Sequence, residues 1–234
     1  MDFRPFYITL RVALLATVVT FFLGLLAASA VCKMKRGKGI IDALFTLPMI
    51  LPPTVAGFFL LLAFGRNSII GGFMHSIGIS VVFTWIGAVI AAVFVAFPLM
   101  YRTARGALEQ IDQNVVYAAE TLGFSRLKIF WTLKVPMAKA GILAGTILSF
   151  ARALGEFGAT MMLAGNIPGR TQTMAIAVFS AVSAGHREVA YIWVAILSTM
   201  SFAMIMLMNH FGANGKRSKA RQSRGKAIGA AHRH

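Results

Sequence analysis

The chain has 234 residues, 58% of them hydrophobic and only 13% charged, with 23 lysines and arginines against seven acids. A water-soluble domain carries about twice that charged fraction, so the composition excludes an ordinary soluble globule and predicts an all-α, polytopic membrane protein. The net charge of +16 does not signal a nucleic-acid partner, because the cations gather at particular chain positions without an aromatic-interleaved basic patch.

Five stretches are long enough to cross a bilayer, which takes about 20 apolar residues. The first, at 12–32, starts too deep and runs too long for a cleaved leader. The second, at 43–65, contains Pro48, Pro52 and Pro53. Each proline frees a carbonyl, which at membrane depth must be buried in protein or line a wet cavity. A kinked helix beside a polar path is expected, with Thr54 as a polar contact. The third span, at 81–101, carries Pro98 near its end.

Residues 112–136 then interrupt the apolar pattern with two short amphipathic helices. Asp112 or Asn114 can cap the first, Val115, Ala119 and Leu122 form its apolar face, and Gly123 offers a left-handed stop. Ser125 can cap the second, whose stripe is Leu127, Phe130 and Trp131 before Pro136 ends it. A docking surface is one reading of this insertion; a loop with local helix is the other.

The fourth span, at 140–163, holds Arg152 and Glu156, which at i, i+4 share a face of one helix. Ionisable groups near mid-bilayer face protein or water, so the pair is expected to line or gate a central path, with Glu156 holding Arg152. Pinning helices together is the plainer alternative. Ser149 and Thr160 can add hydroxyls, although such groups often bond their own backbone. Beyond it, Pro168-Gly169 predicts a type II turn, and the apolar run 174–185 is too short to span and predicts a re-entrant or interfacial helix. The last span is 189–211, and the tail 212–234, with seven cations and no acid, predicts disorder.

Seventeen of the 23 cations fall after the first span, between the third and fourth, and in the tail. One orientation puts them all on the cytoplasmic side, with the N-terminus outside and the C-terminus inside. Anionic membrane lipid is then a natural partner of those clusters. No phosphate-loop motif occurs, Cys32 is the one cysteine, and the histidines are scattered, so neither catalysis, a cofactor nor a metal centre is expected.

The pattern Ala118-Ala119, Gly123, Leu133-Lys134-Val135-Pro136 resembles the EAA loop of ABC-importer membrane subunits. Tyr117 stands where that loop usually has Glu, and Leu133 and Val135 replace Ile and Leu. The blocks from Gly155 to Thr160 and from Ala164 to Thr173 resemble molybdate and sulfate importer permeases, as do Leu47-Pro48 and the stretch from Leu51 to Gly57. Arg170-Thr171-Gln172-Thr173 is closer to the molybdate branch. The resemblance covers about residues 8–211.

It implies the transmembrane domain of a type I ABC importer in a bacterial or archaeal inner membrane. Two copies would form a homodimer around a central path. Two ATP-binding subunits, which would hold the ATP and Mg²⁺, would dock on a coupling helix formed by Ala118, Ala119, Glu120, Thr121, Leu122, Gly123, Phe124, Ser125 and Arg126. An extracytoplasmic oxyanion-binding protein would deliver molybdate, or sulfate or tungstate in the same family. A self-sufficient secondary transporter or channel is the competing class, and it leaves the polar insertion unexplained and usually shows internal repeats.

Overall fold

The computed structural model describes the backbone of residues 2–231 and the side chains of residues 2–210. Within these, α1 (Arg4–Lys33), α5 (Trp85–Glu109) and the first half of α12 (Arg187–Ala231) are long and apolar enough to cross a membrane. No strand occurs among the described residues.

The second span is broken rather than kinked. It consists of α2 (Lys38–Ile50) and α3 (Pro53–Phe64), which meet at 112°. Two successive prolines cannot donate to the preceding turn, and Pro52 holds Leu51 in extended backbone, φ −65° and ψ 139°. A short α4 (Ile69–Ser76), capped by the Ser68 hydroxyl at 2.9 Å from Gly71 N, leads towards α5.

The polar insertion folds as α6 (Gln113–Thr121), α7 (Arg126–Ile129), a π turn at Phe130–Lys134 and α8 (Val135–Met137). Asp112 is the residue that caps α6, accepting from Asn114 N at 2.9 Å. Gly123 stops it at φ +78°, where the Phe124 N–H reaches the Ala119 carbonyl at 3.2 Å. The buried face differs by one position from the sequence pattern. Val116 and Ala119 are buried while Val115 and Leu122 are exposed, because the core approaches from the side of α1 and α5. In the second helix Ile129 and Phe130 are buried, and Leu127 and Trp131 face outward. Pro136 lacks an N–H, and the Val135 N–H instead reaches back to the Phe130 carbonyl, which makes the turn wide. The whole segment Arg126–Met137 meets α9 (Lys139–Leu154) at 77°.

The fourth span is also two helices, where the sequence predicts one over 140–163. Helix α9 ends at Leu154, residues 155–157 are non-helical, and α10 (Gly158–Ala164) follows. Gly155 and Gly158 lower helix propensity on both sides of the break. After a loop, α11 (Met174–Ser183) packs its Met174, Ile176, Ala177 and Ala181 inward and stays too short to span, as its length predicts. Helix α12 continues as far as Ala231, over most of a tail expected to be disordered. Alanine, lysine, arginine and glutamine there are good helix formers; the side chains of that tail lie outside the described residues.

Helices α1 and α5 run side by side in the same direction, with α9 antiparallel. Val12, Ala13 and Ala16 meet Ala88, Ala92, Ala153 and Leu154 at one end, and Leu25, Ala28 and Val31 meet Met100, Ala104, Leu108 and Ile142 at the other. Buried alanines let these backbones approach closely, which is how helices associate where burial from water contributes little. Helices α6 and α7 and the π turn close the second end through Val116, Ala119, Ile129 and Phe130.

The same end carries an interlocked polar cluster. Lys38 Nζ donates to Glu109 Oε1 at 2.6 Å, and Arg105 Nε donates to the same oxygen at 3.0 Å. Arg105 also pairs with Asp42, which accepts from the buried Tyr101 hydroxyl at 3.0 Å. This ties α2 to the part of α5 that leads into α6.

The two broken spans pack against each other at their breaks. A Cβ on Gly57 would lie 2.7 Å from Met162 Cβ and 2.8 Å from Ala159 Cα, and one on Gly158 would lie 2.8 Å from Pro53 Cβ. Gly57→Leu is therefore expected to force α3 off α10 at a cost of about 1–3 kcal/mol. Gly106→Ala on α5, where an added Cβ meets nothing within 4 Å, serves as the control. Thermal unfolding of the purified protein should show a clear loss for the first and none for the second; equal midpoints would contradict the close approach.

Candidate functional site

Glu156 lies in the break between α9 and α10, not on a helix face shared with Arg152 as the spacing predicts. The pairing nonetheless forms. The Gly155 N–H reaches the Ala151 carbonyl and the Glu156 N–H the Ala153 carbonyl, both at 3.4 Å, so one loose turn preserves the approach. Arg152 Nη1 sits 2.7 Å from Glu156 Oε2, as an ion pair without hydrogen-bond alignment. The other oxygen, Oε1, accepts the Ala159 N–H at 2.8 Å.

Glu156 is 2% exposed, whereas the Arg152 side chain is 31% exposed. A carboxylate removed from water needs both partners, and here one is a cation and the other a free N–H at a helix start. The chemistry left available is a partly accessible guanidinium whose position a buried carboxylate sets. Thr54, exposed in the first turn of α3, lies across the same junction, since Gly158 packs on Pro53 and on the Thr54 backbone. Ser149 and Thr160 are each 1% exposed. The Ser149 hydroxyl donates to the Ala96 carbonyl at 3.4 Å and so joins α9 to α5. Arg152 and Thr54 are thus the site residues that the single chain leaves open, with Glu156, Thr160 and Ser149 behind them.

At the other end, Ala118, Glu120, Thr121, Leu122, Gly123, Phe124, Ser125 and Arg126 are exposed, while Ala119 packs into the core. Leu122 and Leu127 are 74% and 71% exposed. The Lys128 ammonium lies 4.5 Å from the centre of the Phe124 ring. A helix with one face anchored and Leu122 and Leu127 exposed beside it presents a surface suited to another protein. Tyr117 and Leu127, which flank residues 118–126 and lie within the amphipathic insertion read from the sequence, extend that face.

The Asn166–Thr173 block forms a folded loop with its own bonds. Arg170 N donates to the Ile167 carbonyl at 3.0 Å with Gly169 at φ +73°, the expected type II turn. Asn166 Nδ2 donates to Ser180 Oγ at 2.7 Å, and Met174 N donates to Thr9 Oγ1 at 2.8 Å, which fixes the start of α11 to α1. No group of three or more His, Cys, Asp or Glu that could hold a metal occurs among the described residues.

Residues 20–214 match the family model of the binding-protein-dependent transport system inner membrane component. The chain belongs to that family. It is 44% identical over 208 residues to the putative molybdenum transport system permease protein YvgM of Bacillus subtilis, covering 88% of this chain and 92% of that one. It is 38% identical over 209 residues to the molybdenum transport system permease protein ModB of Escherichia coli K12, covering 88% and 91%. A probable sulfate transport system permease, cysT of Chlorokybus atmophyticus, is 36% identical over 210 residues, covering 89% of this chain and 72% of its own length. The fold matches an inward-facing structure of the MetNI methionine ABC transporter at TM-score 0.70 and 14% identity, over 91% of this chain and 94% of that one. This permease is accordingly a multi-pass inner-membrane component with the architecture of a type I ABC importer membrane domain.

The two contacts of Glu156 separate cleanly by substitution. Glu156→Gln keeps an acceptor for Ala159 N and loses the charge, whereas Glu156→Ala loses both and is expected to cost a further 1–3 kcal/mol or so. Thermal unfolding of the two variants should rank Gln above Ala; indistinguishable midpoints would rule out a capping role.

Proposed function

We propose that this permease is the translocating subunit of an ATP-driven importer that receives molybdate from an extracytoplasmic binding protein. The observation that carries the mechanism is the pairing of an outward-facing α6–α7 surface with two broken spans that share one packed junction. Two copies would enclose the path, each contributing Arg152 and Thr54 to its wall, since one chain leaves both on an open face. The N-terminus lies outside and the C-terminus in the cytoplasm, which gathers 17 of 23 cations on the cytoplasmic side.

Two ATP-binding subunits would dock on residues 118–126, and the nucleotide and Mg²⁺ sit on those partners. Movement of a docked subunit reaches α9 through the π turn and α2 through the Lys38–Glu109–Arg105–Asp42 cluster. Both lead to the junction of α3 and α10, so the two halves would rock between inward- and outward-facing states with no bond made or broken on this chain. Arg152 favours an anion, and Glu156 keeps the lone charge from being prohibitive at membrane depth.

Molybdate rests on the similarity to the two molybdenum permeases over 88% of the chain. The sulfate relative supports sulfate, or tungstate, as the second reading, since all three are tetrahedral dianions with four acceptor oxygens. Uptake of labelled molybdate by the reconstituted complex should resist excess sulfate and yield to tungstate. Inhibition by sulfate at concentrations comparable to molybdate would move the permease to the sulfate branch.

A further inference from the structure

At the end of the bundle opposite α6, a cleft of about 470 Å³ opens between the first half of α1, the start of α5 and residues 169–171. Arg11 and Arg170 stand in its wall, and no acidic residue lines it. The remaining wall is largely apolar, with Ile8, Val12, Phe83 and Ile86.

Arg11 lies about 10 Å along α1 from Arg4, at about 1.5 Å per residue. A cation at that place in a spanning helix requires a counter-charge or a polar headgroup. Neither Arg11 nor Arg170 forms an ion pair with a carboxylate among the described residues. Arg11 instead lies 4.0 Å from the centre of the Trp85 ring, a contact that uses none of its five N–H donors. Tryptophan at the start of a span marks the level of lipid headgroups. Phe83 is held beside the cleft at φ +60°, rare for an aromatic residue, by the bond from its N–H to the Leu163 carbonyl at 3.0 Å.

We propose that this cleft binds the phosphate of an anionic phospholipid, with the phosphate between Arg11 and Arg170 and the acyl stems along Ile8, Val12 and Phe83. A free tetrahedral oxyanion shares the same phosphate-like chemistry. It would neither fill a cleft of this volume nor use its apolar wall, and the lipid does both. The site stands apart from the junction at Glu156 and from the docking face at α6, and it does not depend on which anion is transported.

The purified importer complex, exchanged into detergent with phosphatidylglycerol or phosphatidylcholine added, tests this by native mass spectrometry. The complex is expected to retain phosphatidylglycerol over phosphatidylcholine, and the double variant Arg11→Gln, Arg170→Gln to lose at least about tenfold of that retention. The charge-conserving double variant Arg11→Lys, Arg170→Lys should keep most of it, which separates charge loss from misfolding. Equal retention by the glutamine variant, or by the two lipids, would overturn the proposal. Stabilisation of the complex by inorganic phosphate or molybdate without selective lipid retention would overturn the lipid as the source of the bound anion.

Discussion

A helix that stops inside a membrane must satisfy its free backbone groups within protein, and this chain meets that requirement twice in one place. Helix α3 begins at Pro53, which has no N–H to satisfy, and α10 begins beside the Glu156 carboxylate, which accepts the Ala159 N–H. Gly57 and Gly158 then let the two half-helices touch at backbone distance. These features depend on one another: the close approach covers the two breaks, and the break after α9 places the Glu156 carboxylate where it meets both Arg152 and the Ala159 N–H.

The rest of the molecule holds that junction in register. Helices α1, α5 and α9 form a rigid frame through buried alanines, α11 is hung on α1 by the Thr9 hydroxyl, and α2 is tied to α5 by the Asp42–Arg105–Glu109–Lys38 cluster. The ion pairs of that cluster are partly solvated and individually weak, about 0.2–1 kcal/mol each. The outward turn at α6 and α7 sits on this frame through Val116, Ala119, Ile129 and Phe130, so a force on its exposed face is delivered to packed helices and not absorbed by a loop.

Much of this was legible in the residues, and what was not has identifiable causes. Prolines announce an interruption in the second span because their effect is local to the backbone, although they read as a kink and not as the 112° break that forms. The break at Glu156 is hidden in the sequence because i, i+4 spacing looks the same whether the intervening turn is helical or loosened; the backbone of residues 155–157 distinguishes them. The buried face of α6 keeps Ala119 but takes Val116 in place of Val115, because which side of a short helix is buried depends on where α1 and α5 approach, not on its own periodicity. The cluster around Arg105 joins residues as much as 71 positions apart, beyond what spacing can reveal. Ser149 and Thr160 read as hydroxyls beside the Arg152–Glu156 pair but are enclosed by neighbouring helices, a fate that small polar residues share in membrane bundles.

In the proposed importer the junction of the broken spans faces an aqueous path. Cysteine labelling tests it most directly, using Thr54→Cys in a Cys32→Ser background in membrane vesicles. A charged, water-soluble thiol reagent should label position 54, and the labelling rate should change when ATP is supplied to the complex. Labelling at that position by an apolar reagent alone, unaffected by ATP, would place the junction in lipid and rule out the aqueous path.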